Sequence, residues 1–225
     1  MKLVHPDYIL QILLAEGSIN SLVIENPTQF FKYLEELYTQ INSQEGSFVL
    51  SEEGSILKIS KYIHFIESPF SIDINQKSVL NKILNLLKDE IMSSNEIETF
   101  YHINTKLSEM IDSASEAIGF SLQYEEIPDI LNLLKVMNIK LAQNKSEHLV
   151  ETLIDYLKIV SQILGTKIIV FANMNSYLNA DDMTFLKEIA MYEKLTLLFI
   201  DNCEPKCYNI YDNKYIIDAD LCEII

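Results

Sequence analysis

The sequence predicts an α/β protein whose sheet is built from both ends of the chain, with a helical domain inserted between them. Two continuous apolar runs, Lys167–Ala172 and Leu195–Ile200, have the composition of strands buried on both faces, as in a parallel sheet. A third apolar, β-branched run, Ser18–Glu25, lies far away near the other end. Between them, apolar residues recur mostly at helical spacing. The expected division is residues 1–67 with 150–225 as a discontinuous head and 68–149 as an α-helical leg.

Taken in order, Ser18–Glu25 follows Gly17 and reads as a strand. Asn26-Pro27-Thr28 is a helix start with Pro in the first turn, and Phe30, Leu34, Leu37 and Ile41 carry the helix to about Asn42. Ser47–Leu50 and Ser55–Ile59 flank Glu52-Glu53-Gly54 as a hairpin. Tyr62–Ile66 is apolar but has no period that decides its type. Asn75 is a plausible N-cap for a helix carrying Val79, Leu80, Ile83, Leu84, Leu87 and Ile91. Ser93-Ser94-Asn95 interrupts the pattern before a second helix, Ile97 to Ile118, which ends near Gly119. Two long helices with a short break predict an antiparallel helical hairpin. A shorter helix starts at Pro128 and carries Ile130, Leu131, Leu133, Leu134 and Met137. Ile139–Ala142 reads as a short strand, and a helix follows from about Glu147 to Leu164. Lys167–Ala172, a helix from Ala180 to about Tyr192 capped by Asn179, and Leu195–Ile200 then make a βαβ unit, with Tyr215–Ile217 as a last strand.

Composition narrows the function classes. The 225 residues are 48% hydrophobic with only 5 Gly and 5 Pro, which excludes disordered and linker-rich chains. No apolar run reaches the roughly 18 residues of a membrane span. The first residues hold no apolar core of a secretory signal. Three Cys make no disulfide framework and point to a reducing, cytoplasmic setting. The formal charge is −16, and every one of the 17 basic residues is Lys. Arginine fingers and bidentate guanidinium clamps are therefore absent, and any phosphate contact must use Lys, backbone N–H groups or helix ends. Such a charge also opposes general attraction to nucleic acid, so a DNA contact must be a local lysine patch.

Catalytic patterns are missing. Neither GxxxxGK[ST] nor GxGxxG occurs, and the first strand runs into Glu25-Asn26-Pro27-Thr28 in place of a glycine-rich loop, so no nucleotide is expected. Asp201 ends the strand Leu195–Ile200 where a metal-holding acid would sit, but without a phosphate loop it reads as a loop residue. His5, His64, His102 and His148 lie in no nucleophile or metal motif. Cys203, Cys207 and Cys222 lack zinc-knuckle spacing. Asp181-Asp182 fit the first turn of a helix, and Asp218 and Asp220 form at most a weak hard-cation pattern. The chain is read as non-enzymatic.

Three windows carry Lys without acids: Lys58 and Lys61 with His64; Lys77, Lys82 and Lys88; and Lys135, Lys140 and Lys145. Lys77 and Lys88 are eleven residues apart and share a helix face. Each window alone fits a solvated helix face. Converging, they would follow a phosphate backbone without reading bases.

The colinear order of segments resembles the small Csn2 adaptation proteins of type II-A CRISPR systems. The likeness runs from Ser18–Glu25 through Phe70–Leu84, Tyr124-Glu125-Glu126-Ile127 and Leu131–Lys140. It is clearest in Lys167–Asn173 with Tyr177–Asp182, and ends in Leu195–Ile200 and Tyr215–Asp220. The resemblance implies a degenerate P-loop-like head with an inserted helical leg. It implies a homotetrameric ring whose lysine-lined hole admits double-stranded DNA at free ends. It also implies spacer acquisition beside the Cas integrase pair and the type II effector nuclease, with no membrane partner. Lys135, Lys140, Lys145, Lys77 and Lys82 are the candidate DNA contacts on local charge. Similar proteins associate Ca2+ with an acid run before the Tyr-acid-acid-Ile segment. Here Ser121 and Gln123 replace acids, leaving Glu125 and Glu126 as candidate ligands. The alternative reading is a protein-interaction adaptor of the adaptation complex that does not touch DNA.

Overall fold

The chain enters through two strands of three residues each, β1 (Lys2–Val4) and β2 (Gln11–Leu13), too short for any alternation to reveal them in the sequence. β3 (Ile19–Ile24) follows, buried at every position. Asn26 accepts bonds from Thr28 and Gln29 N–H and so starts α1 (Pro27–Ser43), with Pro at the position whose N–H has no helical partner anyway. β4 (Val49–Glu52) and β5 (Ser55–Leu57) form the expected hairpin. Its turn has φ of 48° at Glu53 and 82° at Gly54, the left-handed pair that suits a two-residue hairpin loop. A single helical turn, α2 (Ile59–Tyr62), leads into β6 (Ile63–Ile66), which settles the undecided apolar segment as a strand.

Three helices come next: α3 (Lys77–Ser93), α4 (Glu96–Ile118) and α5 (Ile130–Val136). After them α6 (Leu149–Ile159) passes into a π-helical turn, Val160–Leu164, and stops at Gly165 with φ of 70°. β7 (Ile168–Ala172), α7 (Ala180–Tyr192) and β8 (Thr196–Asp201) are the expected βαβ unit. Asn179 and Asp182 close a reciprocal capping box at the start of α7. β9 (Asn213–Ile217) and β10 (Glu223–Ile224) finish the chain. The structure is a computed structural model that describes all residues except Gln44, Asn95, Pro128, 143–147, Lys206, Cys207 and Ile225. The expected breaks or starts at Asn95, Pro128 and Glu147, the lysine Lys145 and the thiol Cys207 thus lie outside the described residues.

The chain divides into two compact units, Met1–Asp73 with Asn144–Ile225, and Ile74–Gln143. The first is mixed α/β. Its large sheet has the order β10-β9-β3-β8-β7-β6, parallel throughout except for β10. A four-stranded antiparallel sheet, β2-β1-β4-β5, lies beside it. Leu22, Ile24, Val170, Leu198, Ile200 and Ile217 pack with Tyr33 and Leu37 of α1 and with Leu3, Ile12 and Leu50 of the small sheet. Alternation along the strands sends Val23, Phe171 and Phe199 to the other face, where the two Phe rings stack at 4.6 Å. Among the described residues no helix is long and apolar enough to cross a membrane.

The second unit is helical. Leu84 of α3, Phe100 of α4, and Ile130 and Leu134 of α5 form its apolar cluster. Asp129 caps α5 through Asn132 N–H. Two expectations fail here. Asn75 is not a helix cap: Gln76 takes that position, with no side-chain cap bond. The Asn75 amide instead holds the backbone of Leu141. Ile139–Ala142 is not a strand. A lone run of four residues has no partner ladder, and its Leu141 backbone groups go to Asn75.

Candidate nucleic-acid interface

Charge is unevenly spread between the units: 11 Lys against 23 acids in the larger, 6 against 10 in the helical one. Within the helical unit the acids concentrate on α4 and the segment after it. From Ile74 to Lys88, and from Ile130 to Ala142, there is no Asp or Glu at all. The structure packs these two lysine-only segments directly on each other, because α5 lies against α3. Lys77, Lys82, Lys135 and Lys140 are all exposed. None of them has a carboxylate within ion-pair distance among the described residues, whereas Lys106, on α4, pairs with Glu109 at 2.7 Å.

Their placement within the unit is not uniform. Lys77 and Lys82 stand about 140° apart around α3, at roughly 100° per residue, so they do not share a face. Lys88 returns to the Lys77 side but is half-buried. Lys135 sits in the last turn of α5, where a cation is favoured by the helix dipole, and Lys140 follows in the irregular segment beyond. Asn75 brings the two segments together. Its Oδ1 accepts from Leu141 N–H at 2.8 Å, and its Nδ2 donates to the Leu141 carbonyl at 3.2 Å. Lys77 and Lys140 flank this pair of bonds. An Asn before an apolar helix looks like a cap in sequence, so nothing there announces the contact.

The third lysine window resolves differently. Lys58 and Lys61 are exposed, and Lys61 lies 5.5 Å from the Tyr62 ring. His64 is no part of a basic patch. It is partly buried on β6, bonded to the Tyr156 hydroxyl at 2.7 Å, and burial pushes its pKa down to about 4.

The carboxyl ends of the parallel strands are where sheets of this kind hold ligands, above all where the winding reverses. Here the chain leaves β3 toward β6 and leaves β8 toward β9, so the reversal lies between β3 and β8. The loop after β3 offers Glu25, Asn26 and Pro27. Glu25 already accepts from Ala219 N–H, Asn26 caps α1, and Pro27 has no N–H to give. Asp201 is not a loop residue, as expected from the sequence, but the last residue of β8, 2% exposed. Asn175 donates to it from Nδ2 at 2.6 Å, and Tyr211 donates to Asn175 Oδ1 at 2.5 Å. Burial pushes the Asp201 pKa up to about 6, with the Asn175 bonds opposing. A continuous apolar run gives no sign that its terminal acid turns inward.

Glu125 and Glu126 are exposed in an irregular segment. Among the described residues no three His, Cys, Asp or Glu gather to hold a metal. Two carboxylates supply at most about four of the about six to eight oxygens that calcium takes. Asp218 is also committed, accepting from Asp220 and Cys222 N–H in its own turn.

Comparison with known proteins matches this chain to one family. The family model for CRISPR-associated protein (Cas_Csn2) matches residues 40–221. The CRISPR-associated protein Csn2 of Streptococcus agalactiae is 23% identical over 214 residues, spanning 94% of this chain and 93% of that one. Among solved structures, Stu0660 of Streptococcus thermophilus superposes with a TM-score of 0.57 at 18% identity. That superposition covers 89% of this chain and 68% of the other, and it supports the fold. On the match over residues 40–221, the chain belongs to the CRISPR-associated Csn2 family.

Proposed function

We propose that this protein is a non-enzymatic, sequence-independent binder of double-stranded DNA and its free ends, supporting spacer acquisition in type II-A CRISPR immunity. Membership of the Csn2 family supports the CRISPR setting. The observation that carries DNA binding is the set of exposed lysines, without an ion-pair partner among the described residues, on two packed, acid-free segments: Lys77 and Lys82 on one, Lys135 and Lys140 on the other. Lysine is a point charge on a flexible stem. It suits phosphate and discriminates poorly between bases. A homotetrameric ring with these lysines turned to a central hole reconciles a charge of −16 with an anionic ligand. Its working partners are then the Cas integrase pair and the effector nuclease, in the cytoplasm.

The test is a gel shift of one DNA sequence as linear duplex and as covalently closed circle, over a salt series. Steeply salt-sensitive binding to the linear form alone is the expected result, since each lysine–phosphate contact releases a counterion. Equal binding to both forms removes the closed ring. The net charge also favours a second reading, an adaptor that meets protein partners and leaves DNA alone. Absence of binding to either DNA form, with partners still captured, would establish that one.

A further inference from the structure

We propose that Asn75 is a positioning residue for the DNA interface: its side-chain amide clasps the Leu141 backbone and so fixes Lys77 and Lys140 as one phosphate-binding pair. The inference rests on the DNA-binding reading above. Both bonds run between one side chain and one residue's backbone, 2.8 Å to N–H and 3.2 Å to the carbonyl, as a neighbouring strand would bond. They join points 66 residues apart in sequence. Chain geometry then leaves Lys77 within two residues, about 7 Å, and Lys140 within one residue, about 3.8 Å, of the clasped Cα atoms. Neither lysine has a carboxylate partner among the described residues, and both are exposed. The clasp also matches a specific need. Leu141 lies in irregular backbone outside any ladder, so without Asn75 its N–H and carbonyl have no partner of regular structure to set their direction. A residue that served only as helix cap would bond the first turn of α3, whereas the N-cap position belongs to Gln76 and the Asn75 amide bonds Leu141. What it organises is the far segment, and that segment carries lysine.

The experiment compares four full-length proteins: wild type, N75A, the K77Q/K140Q double variant, and the triple variant. Affinity for a linear duplex is read over a salt series, beside the melting temperature. N75A is expected to weaken binding several-fold and to flatten the salt dependence by about one phosphate contact. In the K77Q/K140Q background, N75A should change DNA binding no further, while its effect on melting stays the same. A merely structural Asn75 predicts the opposite, either unchanged affinity and salt slope in N75A, or the same further loss in both backgrounds. Either outcome overturns the assignment. Failure of the wild type to bind DNA would instead sink the DNA-binding reading itself, so the two failures are told apart by the wild-type lane.

Discussion

In the larger unit, β3 and β8 bury every side chain they have, and Lys187 and Lys194 are tied to Asp212 and Glu16. In the helical unit, α3, α4 and α5 bury a narrow stripe around Leu84, Phe100 and Leu134, and Lys77, Lys82, Lys135 and Lys140 have no ion-pair partner among the described residues. The difference follows from geometry. A sheet covered on both faces leaves its central strands little room for a surface charge, so their chemistry is pushed to strand ends and loops. A helix buries about a third of its circumference and offers the rest to solvent, where lysines can face a ligand at little cost in stability. The same chain thus pairs central strands that hold by burial with helices whose outer faces leave room for charge.

The largest effect tests the charged half of that contrast. Lys77, Lys135 and Lys140 all changed to Glu should remove duplex binding while leaving helicity and melting temperature near wild type. Each lost lysine contact lowers the salt slope by about one, and the added carboxylates repel phosphate. Lys58 and Lys61 changed to Glu in the larger unit is the control, expected to leave DNA affinity within a few-fold. Unchanged binding in the triple variant would move the interface elsewhere, and equal losses in both variants would reduce the contrast to plain net charge.

The burial half is tested next, by one large-to-small change in each unit. Phe199 is fully buried and stacks on Phe171, so Phe199→Ala should cost about 3–5 kcal/mol and destabilise the whole sheet. Leu134 is 7% exposed in the small cluster, and Leu134→Ala should cost about 2 kcal/mol, the lower end for such changes. Hydrogen exchange separates the two. Leu134→Ala should speed exchange in α3 to α5 while β3, β7 and β8 stay protected. Uniform loss of protection in both variants would show that the units unfold as one.

How much of this was legible depends on what each residue pattern reports. Lys167–Ala172 and Leu195–Ile200 could be read as strands because burial on both faces leaves an unbroken apolar run. Asn179 could be read as a cap because its bonds are made within three residues. Asn75 has the same local look, yet its partner is 66 residues away, and no local pattern records that. Asp201 was opaque for a related reason: its burial depends on Asn175 and Tyr211 arriving from other segments. The lysine windows were visible as gaps in an acidic sequence, but their meeting through the contact of α3 with α5 was not.

The smallest expected effect is a near-cancellation inside the larger unit. Asp201 has its folded pKa raised from 3.8 to about 6, so between those values the folded state binds more protons, and stability falls as pH rises through about 6. His64 has its folded pKa lowered from 6.5 to about 4, so over nearly the same range the unfolded state binds more protons, and stability rises with pH. Each two-unit shift corresponds to something on the order of 3 kcal/mol, with opposite sign. Together they should leave the wild type with little slope from this pair between pH 4 and 6.5. Asp201→Asn should melt higher than wild type at pH 8, and its advantage should shrink as the pH falls below 6. His64→Gln, which keeps a partner for the Tyr156 hydroxyl, should show the converse, gaining on wild type as the solution is acidified. The difference between the two variants cancels the other carboxylates of the chain and isolates the pair. Parallel melting curves for all three proteins from pH 4 to 8 would mean that neither group is held as buried as the fold places it. A lasting advantage of Asp201→Asn would also identify a buried acid at a strand end that lowers stability, a point where the larger unit departs from apolar burial.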